Sequence, residues 1–226
     1  MAKAFPNTGA TVIDSVADLP AASADLEGVM VFQKDSNELK ICDGSSWVSV
    51  VDTDTPNGLV FIKEQPFSSV SSVNVNNVFS SSFDNYKMLV NITGNTTNGS
   101  IYMRMRSSGV DTSTSVYTWA GLNSYSGSAI TSHVGSGGTQ TYFFVSGAHT
   151  TDYPNMPFTF EILQPYANYR TTIFGFHPNP VTPQSYFNYL GGAMNNTTSY
   201  DGLKLYHSAG GNLSGVVRIY GYRNSI

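Results

Sequence analysis

Along most of this chain apolar and polar residues alternate with a period of two, and clusters of Gly, Pro, Asn, Asp and Ser interrupt the alternation. That is the pattern of half-buried strands joined by turns. Near the start, Gly28–Lys34, Glu38–Cys42 and Trp47–Val51 read as three strands. The turns between them are Asp35-Ser36-Asn37 and Asp43-Gly44-Ser45-Ser46, and Asp-Gly at 43–44 is a hairpin signal. The expectation for residues 1–55 is a three-stranded meander, marginal by itself because few side chains can fill its core. The only helix-like stretch is 14–27, with Ser15 or Asp18 as cap and Pro20 at a first helical position.

The polar stretch 52–58, broken by Pro56 and Gly58, marks the expected boundary between residues 1–55 and residues 56–226. Strand signals then recur at 59–62, 73–75, 78–79, 86–92, 101–106, 115–121, 128–134, 141–147, 157–164, 170–177, 185–193, 203–208 and 215–223. In the run 101–106, Ile101, Met103 and Met105 share one face, and Tyr102, Arg104 and Arg106 share the other. No sustained helical period occurs after residue 56. The fold class expected is all-β: the small meander followed by an antiparallel, jelly-roll-like β-sandwich of about eight to ten strands. The last strand ends near residue 223 and is expected to be paired on both sides.

Charge sharpens the division. Residues 1–55 hold nine acids and three bases, a net of −6, whereas residues 56–226 hold six acids and eight bases, a net of +2. All 14 tyrosines fall in the second part. The 12% charged content is about half that of an ordinary soluble domain, so surface must be hidden by association or covered by Ser, Thr and Asn. Overall charge is −4, which leaves no footprint for nucleic acid; Arg104 and Arg106 are the nearest thing to a basic pair. No run approaches the ~18 apolar residues of a membrane helix, and Met1–Pro6 has no apolar stretch of the signal-peptide kind. Asn-x-Ser/Thr triplets, as at Asn91 and Asn212, are read as by-products of composition.

The chemistry-bearing residues are sparse. The lone Cys42 excludes an internal disulfide and is read as a small half-buried residue. The histidines, His133, His149, His177 and His207, show no metal-ligand spacing, and His177-Pro178-Asn179-Pro180 looks like a turn. There is no G-x-S-x-G, and Asp111, Asp152 and Asp201 fit Asx-turns. Glu161 is the one acid inside a strong strand, either facing outward or paired with Arg170. The glycines at 135–138 and 210–211 read as hairpin or loop glycines. No catalytic residue, metal site or cofactor is expected. Aromatic and amide side chains do suit sugars, which offer an apolar face and hydroxyls. Tyr117, Trp119, Tyr125, Tyr153, Asn195, Asn196 and Tyr200 are the candidate ligand-contacting residues.

The series Ala17-Asp-Leu-Pro20, Gly28-Val-Met-Val-Phe32, Leu39-Lys-Ile41 and Asp43-Gly-Ser-Ser-Trp47 resembles a small module of tailed-phage virion proteins, tail fibres above all. Phe83-Asp-Asn-Tyr86, Met103-Arg-Met-Arg106 and the closing Gly215–Tyr222 run are similar to β-rich domains of marine and cyanobacterial phage appendages. The resemblance implies a virion component, trimeric as such fibres usually are, with Asp43, Gly44 and Trp47 in a module that attaches to other virion proteins. The expectation is therefore a homotrimeric, non-enzymatic tail fibre or appendage on the virion, touching a host surface glycan. A capsid decoration protein without receptor binding and a lectin-like module are the alternatives.

Overall fold

The structure, a computed structural model, is described for residues 11–50, 58–125, 130–149, 156–181 and 184–223. The chain divides into two compact units, Met1–Pro56 and Asn57–Ile226.

The first unit is a four-stranded sheet in the order β1 (Thr11–Ile13), β2 (Met30–Gln33), β3 (Glu38–Cys42), β4 (Trp47–Ser49). Strands β2, β3 and β4 form the antiparallel meander, while β1 joins β2 in parallel, Val12 opposite Phe32. The meander expected from sequence lacked β1, whose three residues are too short to show a period. A parallel neighbour needs a crossover, and residues 14–29 supply it with two 3₁₀ turns, Val16–Asp18 and Ala24–Leu26. Ser15 caps the first, its backbone N–H and Oγ both donating to Asp18 Oδ2 at 3.0 Å. Pro20 stands outside both turns, not at a first helical position, and its carbonyl is used elsewhere. Among the described residues only Val31, Gln33 and Cys42 are buried in this unit.

The second unit is an antiparallel β-sandwich. Its strands are β5 (Leu59–Val70), β6 (Ser72–Val75), β7 (Asn85–Asn95), β8 (Gly99–Ser107), β9 (Val110–Asp111), β10 (Tyr117–Tyr125), β11 (Thr131–Gln140), β12 (Phe143–His149), β13 (Met156–Leu163), β14 (Thr172–Val181), β15 (Gln184–Met194), β16 (Gly202–His207) and β17 (Leu213–Tyr222). One sheet has eight strands in the order β11-β10-β15-β14-β13-β7-β17-β5; the other runs β12-β8-β16-β6, with β9 on β8. This exceeds the eight to ten strands expected. The core lies between the sheets. Met88, Val90 and Ile92 of β7 and Phe158, Phe160 and Ile162 of β13 face Ile101, Met103 and Met105 of β8 and Leu203 and Leu205 of β16. The alternation that marked these strands is the alternation between core and outer face. β17 is held on both sides, by β7 and β5.

Several segments depart from their sequence reading. β5 continues through Pro66 to Val70; it is the sheet's edge, where a residue without an N–H is tolerated. Val78 and Phe79 are buried but outside any strand, their N–H groups donating to the Asp201 carbonyl at 2.8 and 3.1 Å. His177-Pro178-Asn179-Pro180 is strand, not turn. Among the described residues β14 pairs with β13 only as far as Phe176, so both prolines lie beyond that ladder. Glycines 135–138 also lie in a strand, β11, and Gly135 is there because of Trp119: a Cβ would stand 2.2 Å from the indole Cε2.

Candidate functional site

In the first unit the residues expected to form an attachment module are one hydrogen-bonded lock. Asp43 Oδ1 accepts from the backbone N–H groups of Ser45 (2.8 Å) and Ser46 (2.7 Å), and Oδ2 accepts from Ser46 Oγ at 2.9 Å. Its own N–H donates to the Ser46 carbonyl at 3.0 Å, closing the turn between the antiparallel β3 and β4, the hairpin that Asp43-Gly44 signalled. Those donors, the backbone N–H of Ser45 first, hold the Asp43 carboxyl well below the usual carboxylate range. Gly44 takes φ +93°, which a side chain would resist. Trp47 follows, and its indole N–H donates to the Pro20 carbonyl at 2.8 Å, tying β4 to the crossover. These residues build the module from within.

The residues expected to meet a sugar are mostly braces. Tyr117 and Tyr200 are fully buried, a correction to the reading of both as loop aromatics. The Tyr117 hydroxyl donates to the Thr112 carbonyl at 2.8 Å and accepts from the Met105 N–H at 3.0 Å, while its ring meets Phe143 edge-on. Burial pushes this phenol well above its ordinary value. Tyr117→Phe strips the only acceptor shown for a buried N–H and is expected to cost about 1–3 kcal/mol, read as a lower denaturation midpoint with unchanged fold. Tyr200 donates to Asn196 Oδ1 at 3.0 Å, so Asn196 serves the loop. Asn195 is exposed, with its N–H on the Val116 carbonyl at 2.6 Å. Trp119 is half-buried, stacked on Phe144 at 5.2 Å. Tyr125 ends β10, and Tyr153 lies outside the described residues.

Titratable residues are likewise engaged within the fold. Glu161 faces outward and pairs with Lys87 at 2.9 Å, not with Arg170, because β13 and β7 place the two side by side. Its hydrogen bond is the main cause that raises the Lys87 pKa. Asp111 binds Arg106 and, at 3.0 Å, Lys204, so it is an ion-pair partner and not an Asx-turn. Asp201 Oδ2 accepts from the Ser108 N–H at 2.9 Å. Cys42 is fully buried.

Two groupings invite a chemical reading. Ser146, His177 and Asn188 meet in the core; the Ser146 Oγ lies 3.2 Å from His177 Nδ1 and 3.1 Å from Nε2, and Asn188 Nδ2 lies 3.4 Å from Nδ1. An oxygen equidistant from both ring nitrogens is on the in-plane lone-pair direction of neither, so this is not the geometry of a base activating a nucleophile. On the outer face of the smaller sheet, Tyr102 stacks on Tyr142 at 3.9 Å, and Arg104 and Lys204 lie over the Tyr206 ring. Burial pushes the Tyr142 phenol up to about 12. Sugar stacking needs an open ring face, and here ring faces are taken by neighbours from the same chain. Among the described residues, no cluster of three or more His, Cys, Asp or Glu is placed to hold a metal ion.

An exposed apolar surface lies elsewhere, on the outer face of the eight-stranded sheet. Leu122, Val134, Phe187 and Tyr189 are each at least half exposed, at 52, 63, 50 and 57%. Phe174 and Phe176 stand beside them, and Phe176 stacks on Phe187 at 5.6 Å. The register sets Leu122 opposite Tyr189 and Tyr189 opposite Phe176, a ridge running across β10, β15 and β14. The next row is Val134, Ala120, Gly191 and Phe174, a trough with a small-residue floor. Strands β10, β11, β14 and β15 contain no Asp, Glu, Lys or Arg. Beyond them the same face turns polar, with Lys87–Glu161 and then Arg218–Glu64 at 2.7 Å. Sequence reasoning passed over this face, although Phe174, Phe176, Phe187 and Tyr189 were visible as alternating large residues on two adjacent strands. Both phases of those strands are apolar, so neither declares itself outer. No family model matches this chain, and no curated protein matches it significantly.

Proposed function

We propose that this protein is a non-enzymatic structural protein of a tailed-phage particle, a homotrimeric tail fibre or appendage built from an attachment module and a jelly-roll-like sandwich. The observation that carries the reading is the broad, uncharged, aromatic outer face that β11, β10, β15 and β14 give the eight-stranded sheet. A surface of that kind serves protein contact. Rich in phenylalanine and without a charged group, it would strip sugar hydroxyls of water and return little. Host contact is therefore assigned to the loops, and assembly to the sheet. The virion setting rests on the resemblance carried by Asp43-Gly-Ser-Ser-Trp47, whose residues form the lock of the first unit.

Immunogold electron microscopy of particles of the phage that encodes the chain tests this. Gold on the tail or its appendages is the expected result. Gold spread over the head would favour the capsid-decoration alternative, and particles free of gold would overturn the virion reading.

A further inference from the structure

We infer that the ridge and trough on the outer face of the eight-stranded sheet are the contact between copies of this chain, the ridge of one copy lying in the trough of the next. The inference deepens the assembly reading above and rests on it.

Size comes first. Strands β10, β11, β14 and β15 are nine to eleven residues long. At the usual rise and spacing they present roughly 600 Å² in projection, and more once the side chains are counted. The largest apolar patch of a typical monomer is about 300–600 Å², and a standard interface takes about 800 Å² from each partner. The face is therefore large for a solitary surface and of the right order for a stable association.

Charge then selects the occupant. A ridge-to-trough contact repeated around a rotation axis sets two different patches of the same chain against each other, and identical residues meet only near the axis, where a charge would meet its own kind. A face meant for a different protein gains specificity from opposite charges. Four consecutive strands without one charged residue fit the first case. The paired ions on β13, β7, β17 and β5 then form the polar rim that surrounds an apolar interface core.

Gly191 supplies an independent observation. Most other strand glycines of this sheet are required by the chain's own packing: a Cβ would come within 2.3 Å of Leu190 at Gly121, 2.3 Å of the Thr159 carbonyl at Gly175 and 2.5 Å of the Thr118 carbonyl at Gly192. At Gly191 a Cβ would meet nothing closer than 3.6 Å, and its φ lies outside the left-handed region. A glycine inside a strand weakens it unless something approaches closely. Among the described residues nothing does so on the outer side, where Gly191 sits between Ala120 and Phe174. The floor of the trough is left open for side chains that the chain itself does not bring.

The test is light scattering at about 10 µM on the full chain and two variants. Wild type is expected at three times its 24.4 kDa mass. Tyr189→Glu puts a charge on the ridge, and Gly191→Val fills the trough without touching the core. Each is expected to weaken association at least ~100-fold and to run as a folded monomer. A Cβ at Gly191 meets nothing closer than 3.6 Å, so a Gly191→Val protein that loses association while keeping the wild-type circular dichroism spectrum and a cooperative melt places the loss at the blocked trough. If both variants keep the wild-type mass, the contact lies elsewhere and the inference falls while the trimer stands. A wild-type dimer dissociated by both variants keeps the face and removes the trimer. A wild-type monomer overturns both.

Discussion

Arg106→Met lowers the unfolding free energy of the sandwich by about 3–5 kcal/mol, the cost of leaving a buried ionic network without its centre. Arg106 is only 7% exposed. Its Nε donates to Asn76 Oδ1 and its Nη1 to Asn74 Oδ1, both at 2.9 Å, while Nη1 also reaches Asp111 and Nη2 the Gly109 carbonyl. Four acceptors from two stretches of chain, 74–76 and 109–111, converge on one guanidinium. Methionine fills much of its volume and serves none of them, and Asp111 keeps only Lys204 among its partners shown here. Arg106→Lys should fall between wild type and Arg106→Met, because one ammonium cannot reproduce the fork. The pairing is read by adding Asp111→Asn to Arg106→Met: once the arginine is gone, removing the carboxylate's charge should cost far less than it does in wild type. Equal costs in the two backgrounds, measured as urea midpoints at constant m, would mean that Arg106 and Asp111 are not coupled.

Arg106 also shows where sequence stops being legible. Its alternation with Met105 placed it on the outer face, and that is where it points. The burial of that position depends on the chain doubling back. Ser108 (φ 51°) and Gly109 (φ 78°) form a two-residue turn with both φ positive, which folds β9 against β8 and lays Asp111 across from Arg106. The Ser-Gly pair was the available signal, but a strand of two residues has no period to announce it. The same limit hid β1. Strand existence was legible elsewhere because alternation is the direct imprint of one face meeting the core, as at Met88, Val90 and Ile92. Tyr117 and Tyr200 misled for the opposite reason. Loop composition around them was polar, while the burial of each ring is decided by distant partners such as Met105 and Phe143, 12 and 26 residues away from Tyr117. The outer aromatic face was missed because β14 and β15 carry large apolar residues in both phases, the signature of a strand covered on two sides, and among the described residues of the sandwich only one side is covered.

The second large effect is on acid stability, and it comes from His177. This imidazole is fully buried between Ser146 of β12, Asn188 of β15 and the edge of Phe158 of β13. Burial alone pulls its pKa down from 6.5 to about 4. In the folded chain it therefore stays neutral where the unfolded chain would bind a proton. The stability tied to that neutrality is complete above the unfolded value of 6.5, declines as pH falls, and is exhausted once pH passes below the folded value near 4. Proton linkage sets the loss at about 2 kcal/mol by pH 5 and about 3 kcal/mol by pH 4. His207, also depressed by burial, adds in the same direction. His177→Gln removes the titrating group but retains polar atoms for Ser146 and Asn188. It should be less stable than wild type at pH 7, from imperfect packing, yet should lose far less between pH 7 and pH 4, so that the two stability curves converge or cross in acid. Denaturant midpoints at pH 7, 5.5 and 4 decide it. Parallel curves for the two proteins would place the acid sensitivity of the sandwich on other groups and leave His177 as a merely polar filler of the core.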